Sequence, residues 1–155
     1  MVTGGRRMTQ QEQDFRDALS IVKVKGFEPP TVYAHASWET GRFAHLVGNF
    51  NYWGIKKPQG WLGKIVTVST FEIIDGKQVN MKCDFADWPN ASSALCYYCD
   101  KIERMYPDAF ANRLDYTLYY AGLMTGVWGA WSTSPTYNSD LCNHREELQK
   151  EGLLP

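Results

Sequence analysis

Two runs rich in β-branched residues, Trp61 to Ile74 and Lys77 to Phe85, stand on either side of the dipeptide Asp75-Gly76. Asp-Gly favours a two-residue turn in which both central residues take positive φ, so this stretch specifies a β-hairpin. With Asp75 and Gly76 as the loop, Ile74 pairs with Lys77, and Glu72 falls opposite Val79 on a face shared with Ile74 and Met81. A carboxylate on a largely apolar face is costly unless it borders a water-filled groove. Elsewhere the apolar residues recur at helical spacing. The expected class is therefore α+β, mostly helical with one small hairpin lobe.

Thr9 and Glu12 have the spacing of a capping box, and Phe15, Ala18, Leu19 and Val22 carry an apolar stripe on to about Gly26. A second helix is expected over Thr31 to Thr40. Pro29 and Pro30 precede it, Gly41 can take the left-handed conformation just past its end, and Val32, Ala36 and Glu39 share one face. From Asn90, the spacing of Leu95, Cys99, Ile102 and Met105 makes a long helix that Pro107 ends. Asp108 to Thr125 reads as one further helix, with Leu114, Leu118, Ala121 and Met124 inward and Asp100, Glu103, Asp108 and Asp115 on solvated faces. Ser134 followed by Pro135, a capping side chain and then an N1 proline, opens a last helix that runs through Leu141 and Leu148 to Gly152. Between the second helix and the hairpin, residues 42 to 60 form a long Gly- and Pro-punctuated loop of the kind that lines a cleft.

A length of 155 residues suits one compact domain, placed at 10–155, behind a short N-terminal segment (1–9) expected to be disordered. A net charge of −1 gives no electrostatic reason to expect nucleic acid, and no stretch is long and apolar enough for membrane insertion, so a monomeric globular domain is expected. The 6 Trp, 9 Tyr and 7 Phe exceed what a charged surface needs; they fill an aromatic core, with some left over to stack on flat ligands such as sugars. Cys96, Cys99, Cys142 and His144 could form a zinc set, but the CYYC lies inside a helical pattern where small thiols simply pack, so no metal or other cofactor is assigned. A disulfide is left open. His35 and His45, with neither a ligand set nor a nucleophile beside them, are read as structural or rim residues.

Glu39 has the most unusual position. It lies on the inward stripe of its helix and in the last turn, where unpaired carbonyls disfavour a negative charge; flanking Trp38 and Phe43 add desolvation. Both effects favour a carboxyl that keeps its proton near neutral pH.

Ala36, Glu39, Thr40 and Gly41, followed about a dozen residues later by Asn51-Tyr52-Trp53-Gly54-Ile55-Lys56, resemble the opening of the bacterial glucosaminidase-domain family, glycoside hydrolase family 73. The likeness extends over residues 10 to 150. Thr70-Phe71-Glu72 is similar to the family's Thr-x-Glu on its β-lobe. Trp131-Ser132-Thr133-Ser134-Pro135-x-Tyr137 is similar to its Tyr-Ala-Thr-Asp-Pro-x-Tyr. After the hairpin the pattern drifts: Phe85 is kept, Trp88 stands where the family has Tyr, and Ala94 where it has Ser.

The resemblance implies a lysozyme-like fold that cuts peptidoglycan glycan strands after N-acetylglucosamine. Glu39 would be the general acid, with Glu72 and Tyr137 as further catalytic candidates and Asn51, Trp53, Trp88, Trp131 and Thr133 as substrate-binding ones. Trp88 either stacks on a sugar or fills the core, and the family's key tyrosine corresponds either to Tyr137 or to the position held by Trp131. Three routes stay open: Glu72 activating water with the carboxylates about 6.5 to 9.5 Å apart, Glu72 as nucleophile near 5 Å, or attack by the substrate's own N-acetyl group oriented by Tyr137. The alternatives are a non-catalytic peptidoglycan-binding or assembly module and a muramidase or lytic transglycosylase on the same architecture. The first thirteen residues hold no apolar run of signal-peptide length, so access to a cell wall outside the membrane is expected through a removed leader, phage-type release or particle attachment.

Overall fold

The structure, a computed structural model, describes residues 7–155; the first six residues, and with them most of the segment expected to be disordered, lie outside the described residues, as does the side chain of Glu72. The elements are α1 (Gln10–Ala18), α2 (Ser20–Val24), α3 (Pro29–Glu39), β1 (Ile65–Ile74), β2 (Lys77–Ala86), α4 (Ala91–Met105), α5 (Pro107–Ala111), α6 (Tyr116–Gly122) and α7 (Tyr137–Lys150).

Helix α3 is the axis of the molecule. It begins at Pro29, with both prolines inside its first turn, where a missing N–H costs nothing, and every residue from Thr31 to Ser37 is buried. A helix buried along its length lies inside; α2 and α7 pack against it, and α1 meets it through the side chain of Tyr33. The α1 cap is the expected one, with Thr9 Oγ1 accepting from the Glu12 N–H at 3.1 Å. Glu12 itself is buried and accepts from the Tyr33 hydroxyl at 2.8 Å and Arg16 Nε at 3.1 Å, while Arg16 also reaches the Leu153 carbonyl at 2.7 Å, fastening the C-terminal end to α1. Phe15, Phe43, Tyr52 and Trp53 meet around one point of the core, with ring centroids 4.8 to 5.9 Å from Phe15.

The hairpin has the expected register, Ile74 against Lys77 and Glu72 against Val79, around Asp75 (φ 52°) and Gly76 (φ 77°). Its base is tied to the loop after α3. Ala86 N–H donates to the Ile55 carbonyl, Lys57 N–H to Asp84, and the buried Asp87 carboxylate accepts from the backbone N–H groups of Asn49, Phe50 and Trp88. Gly48, at φ 63°, passes so close to Asp87 that a Cβ there would lie 2.5 Å from its carboxylate oxygen. Towards the tip the arm is open to solvent, leaving Phe71 and Ile73 exposed.

Three expectations fail here, the first only slightly: the stripe from Phe15 to Val22 runs over two helices, α1 and α2, that part at Leu19. Residues 108 to 125 are not one helix: α5 and α6 are separate, because Asp115 turns outward to cap α6 through the Leu118 N–H at 3.2 Å. The break rotates the inward face. Leu114 and Leu118 are exposed, and Ala109, Tyr119, Tyr120 and Leu123 fill the interior instead, with Gly122 pressed onto the Ala109 backbone. Ser134 also does not cap the last helix. α7 starts at Tyr137 with Thr136 as N-cap and no capping side chain, since Ser134 to Thr136 form a turn in which Ser134 N–H donates to Ser132 Oγ. Pro135 therefore rigidifies the approach to the helix rather than its first turn.

Candidate active site

The end of α3, the start of α7, residues 131–134, the 53–56 strip of the long loop and the last turns of α4 enclose a cleft of about 710 Å³. Glu39 is on its wall, with 22% of its side chain exposed. The chain turns sharply just beyond it: Gly41, Arg42 and Phe43 all have positive φ (56°, 60° and 64°), an uncommon conformation for the last two. Thr40 holds this turn by donating to the Ala36 carbonyl at 2.7 Å and accepting from the Phe43 N–H at 2.8 Å, so Glu39 sits on a fixed helix end. Phe43 is buried in the core behind it, whereas Trp38 is partly exposed and lies edge-on to His144.

Burial raises the Glu39 carboxyl above its ordinary value; hydrogen bonds from Tyr137 and Trp131 pull in the other direction without cancelling it. The Tyr137 hydroxyl donates to Glu39 Oε1. It also meets His35 Nε2 at 2.9 Å; His35 Nδ1 meets the Tyr98 hydroxyl at 2.7 Å, and Tyr98 meets the Tyr119 hydroxyl at 2.6 Å. Burial pushes His35 down to about 3 and lifts the Tyr137 phenol far above its usual range, an effect the Glu39 carboxylate reinforces. At working pH the imidazole is neutral. Across the cleft, burial and then the Arg104 charge pull the Lys101 ammonium below its ordinary value, and its Nζ lies 6.0 Å from the Trp131 ring centroid.

Glu39, Tyr137, Trp53, Trp131 and Thr133 all line this cleft. Trp53 is stacked on Tyr98 at 4.2 Å, and Trp131 stands edge-on to His35 at 4.8 Å. Of the two positions, Tyr137 is the one whose hydroxyl reaches Glu39, while Trp131 supplies an aromatic wall. Two expected binding residues are elsewhere. Asn51 is fully buried and donates to the Ile55 and Ala86 carbonyls at 2.9 and 2.8 Å while accepting from the Ile55 N–H; it pins the loop to the hairpin base and has no group left for a ligand. Trp88 is buried against Trp61 and Tyr97, the core alternative for that residue.

Glu72 has its backbone on the outer part of β1, seven residues from the strand's start at Ile65, or about 24 Å along an extended chain. His35, read as structural, lies one helical turn before Glu39 and touches the same tyrosine; that spacing was the available signal. Lys101, Tyr106 and Asp140 also line the cleft, and nothing in their local sequence set them apart. His144 spends its Nε2 on Ser37 Oγ at 2.9 Å, and among the described residues no group of His, Cys, Asp and Glu is arranged to hold a metal. Nor is any helix among them long and apolar enough to cross a membrane.

No family model matches this chain, and no curated protein matches it in sequence. Solved structures do match in fold. The peptidoglycan hydrolase of Sphingomonas sp. A1 aligns with a TM-score of 0.71 at 20% identity, covering 94% of both chains. The glycoside hydrolase domain of FlgJ from Salmonella typhimurium, truncated at its C-terminus, aligns at 0.67 and 21% over 91% of this chain and 94% of that one. The catalytic domain of the autolysin Auto from Listeria monocytogenes aligns at 0.66 and 23% over 96% and 88%. The fold is thus the lysozyme-like α+β fold of these hydrolases, helical with a hairpin lobe beside the cleft.

Proposed function

We propose that this chain is a peptidoglycan hydrolase of the glucosaminidase-domain family, cleaving the β-1,4 bond after N-acetylglucosamine with Glu39 as general acid. The observation that carries the reading is a half-buried carboxyl with a raised pKa on the wall of an aromatic cleft, held by a tyrosine, on a fold shared with peptidoglycan hydrolases. A glycosidic oxygen leaves readily only if protonated as the bond breaks, and a carboxyl that stays protonated towards neutral pH can do this. Trp131 and Thr133 form the wall against which sugars of a glycan strand rest, and Trp53, buried against Tyr98, backs it. The chain acts as a monomer on the cell wall, with no cofactor.

The opposite charge needed at the sugar carbon has two sources in this reading. Tyr137 stands next to the acid and can orient the substrate's acetamido group or a water; Glu72 reaches the reaction only when the hairpin arm folds over the bound strand. The Glu39→Gln variant should fold normally and lose lytic activity by at least about 10²-fold, whereas Glu72→Gln should lose much but not all. Turbidity of purified peptidoglycan measures both. Mass spectrometry of the products should show N-acetylglucosamine at the new reducing end. A muramic reducing end would point to a muramidase, an anhydro end to a transglycosylase, and wall binding without new reducing ends to a non-catalytic module.

A further inference from the structure

We infer that His35 is a positioning residue for the acid: held as its Nε2–H tautomer, it fixes the Tyr137 hydroxyl on Glu39 through a one-way chain of buried hydrogen bonds that begins at Tyr119. The inference rests on Glu39 being the general acid, but its geometric part stands independently of any reaction.

The direction follows from counting protons. Tyr137 has one, and it goes to Glu39 Oε1, so towards His35 the same oxygen can only accept. His35 Nε2 must then carry the hydrogen. The imidazole is fully buried and neutral, which leaves Nδ1 bare, and a bare nitrogen 2.7 Å from Tyr98 takes that phenol's proton. The Tyr98 oxygen, having given its proton to His35, accepts from Tyr119. Every donor points towards Glu39. The reverse order would leave the Tyr119 hydrogen with no acceptor, because Tyr98 is the hydrogen-bond partner of that hydroxyl among the described residues and Tyr119 is wholly buried. A buried donor without an acceptor is the costly arrangement, whereas a spare acceptor lone pair on Tyr119 is not.

The groups around these two side chains come from several elements. Tyr137 and Asp140 belong to α7, Tyr98 and Lys101 to α4, Trp131 to the preceding loop, and Lys56 to the loop after α3. Of these, Tyr137 and Trp131 are the ones that hydrogen-bond the carboxyl, while His35 Nε2 lies 3.8 Å from it. Hydrogen bonds in a dry chain polarise one another, so His35 strengthens the Tyr137 donation and thereby the charged form of Glu39. The device keeps the acid from holding its proton too tightly after burial has raised it.

The first test is direct. Long-range proton–nitrogen spectra of the full chain with labelled histidine should show His35 neutral from pH 5 to 8, with protonated Nε2 and bare Nδ1; an Nδ1–H tautomer or an imidazolium overturns the inference whether or not the protein is lytic. The second test is kinetic. With His35→Leu, and with Tyr98→Phe, which keeps the ring stacked on Trp53 and removes only a hydroxyl that makes no hydrogen bond to Glu39, the alkaline limb of kcat should move up by roughly half a pH unit or more because Tyr137 donates less firmly. His35→Gln, whose amide can still donate to Tyr137, should restore the limb. If both variants keep the wild-type limb while remaining folded, the chain of hydrogen bonds does not position the acid. If the wild type releases no reducing ends, the hydrolase reading fails and the tautomer alone decides this one.

Discussion

At Glu39, three influences of different sign meet in one carboxyl. Burial raises it, while Tyr137 and Trp131 donate hydrogen bonds that favour the charge, and burial wins. Because the folded-state pKa lies above the unfolded one, the group stabilises the fold fully only below the ordinary carboxylate value, and this contribution is lost as pH rises through the raised value. With 22% of the side chain exposed, little of the effect is screened. Glu39→Gln should therefore gain thermal stability relative to wild type as pH rises from about 4 to 8, by about 1.4 kcal/mol for each unit of upward shift. Melting curves at several pH values check it, and a difference that stays flat across that range would show an unperturbed carboxyl. The helix end that holds Glu39 was legible in Pro29, Pro30 and Gly41, whose backbone preferences act locally. What could not be read was its company. Tyr98, Tyr119 and Tyr137 come from residues 59 to 98 positions away, and only packing brings them to His35 and Glu39.

At the level of elements, the long loop and the hairpin base form one unit joined by Asp87, Asn51 and the close passage of Gly48. The strip from Trp53 to Lys56 that lines the cleft is carried by this joint, so its geometry bears on the site. Gly48→Ala puts a methyl group 2.5 Å from a buried carboxylate oxygen and demands positive φ from a residue with a side chain. The expected cost is about 2 kcal/mol or more, from overpacking and backbone strain together, read as a lower urea midpoint; an unchanged midpoint would mean the joint yields freely. The hairpin's register was readable because Asp-Gly fixes a turn by local chemistry alone. The α5–α6 break was not, because Leu114 and Leu118 keep helical spacing on a face that tertiary packing leaves in water. Asn51 and Trp88 carry the same lesson for the site. Their sequence neighbourhood resembled a binding wall, yet each is used to hold the loop and hairpin in place.

For the molecule as a whole, the central helix carries a half-buried carboxyl and a fully buried imidazole one turn apart whose pH demands oppose each other. Glu39 costs stability as pH rises above the ordinary carboxylate value, and His35 costs it as pH falls, because the unfolded chain takes up a proton near 6.5 that the folded imidazole refuses until about 3. Between about 4.5 and 6.5 the two partly offset; below that, His35 dominates, and His144, also lowered by burial, adds to it in the same direction. Acid should therefore loosen the whole fold through α3, against which α2 and α7 pack and which α1 meets at Tyr33, rather than fray one edge. Urea midpoints of wild type and His35→Gln compared at pH 7, 5 and 3.5 isolate the effect, since other groups titrate alike in both. The stability of the wild type relative to the variant should fall by up to about 1.4 kcal/mol per pH unit between 6.5 and 3. A difference that does not change over that window would mean the imidazole takes its proton without opening the core.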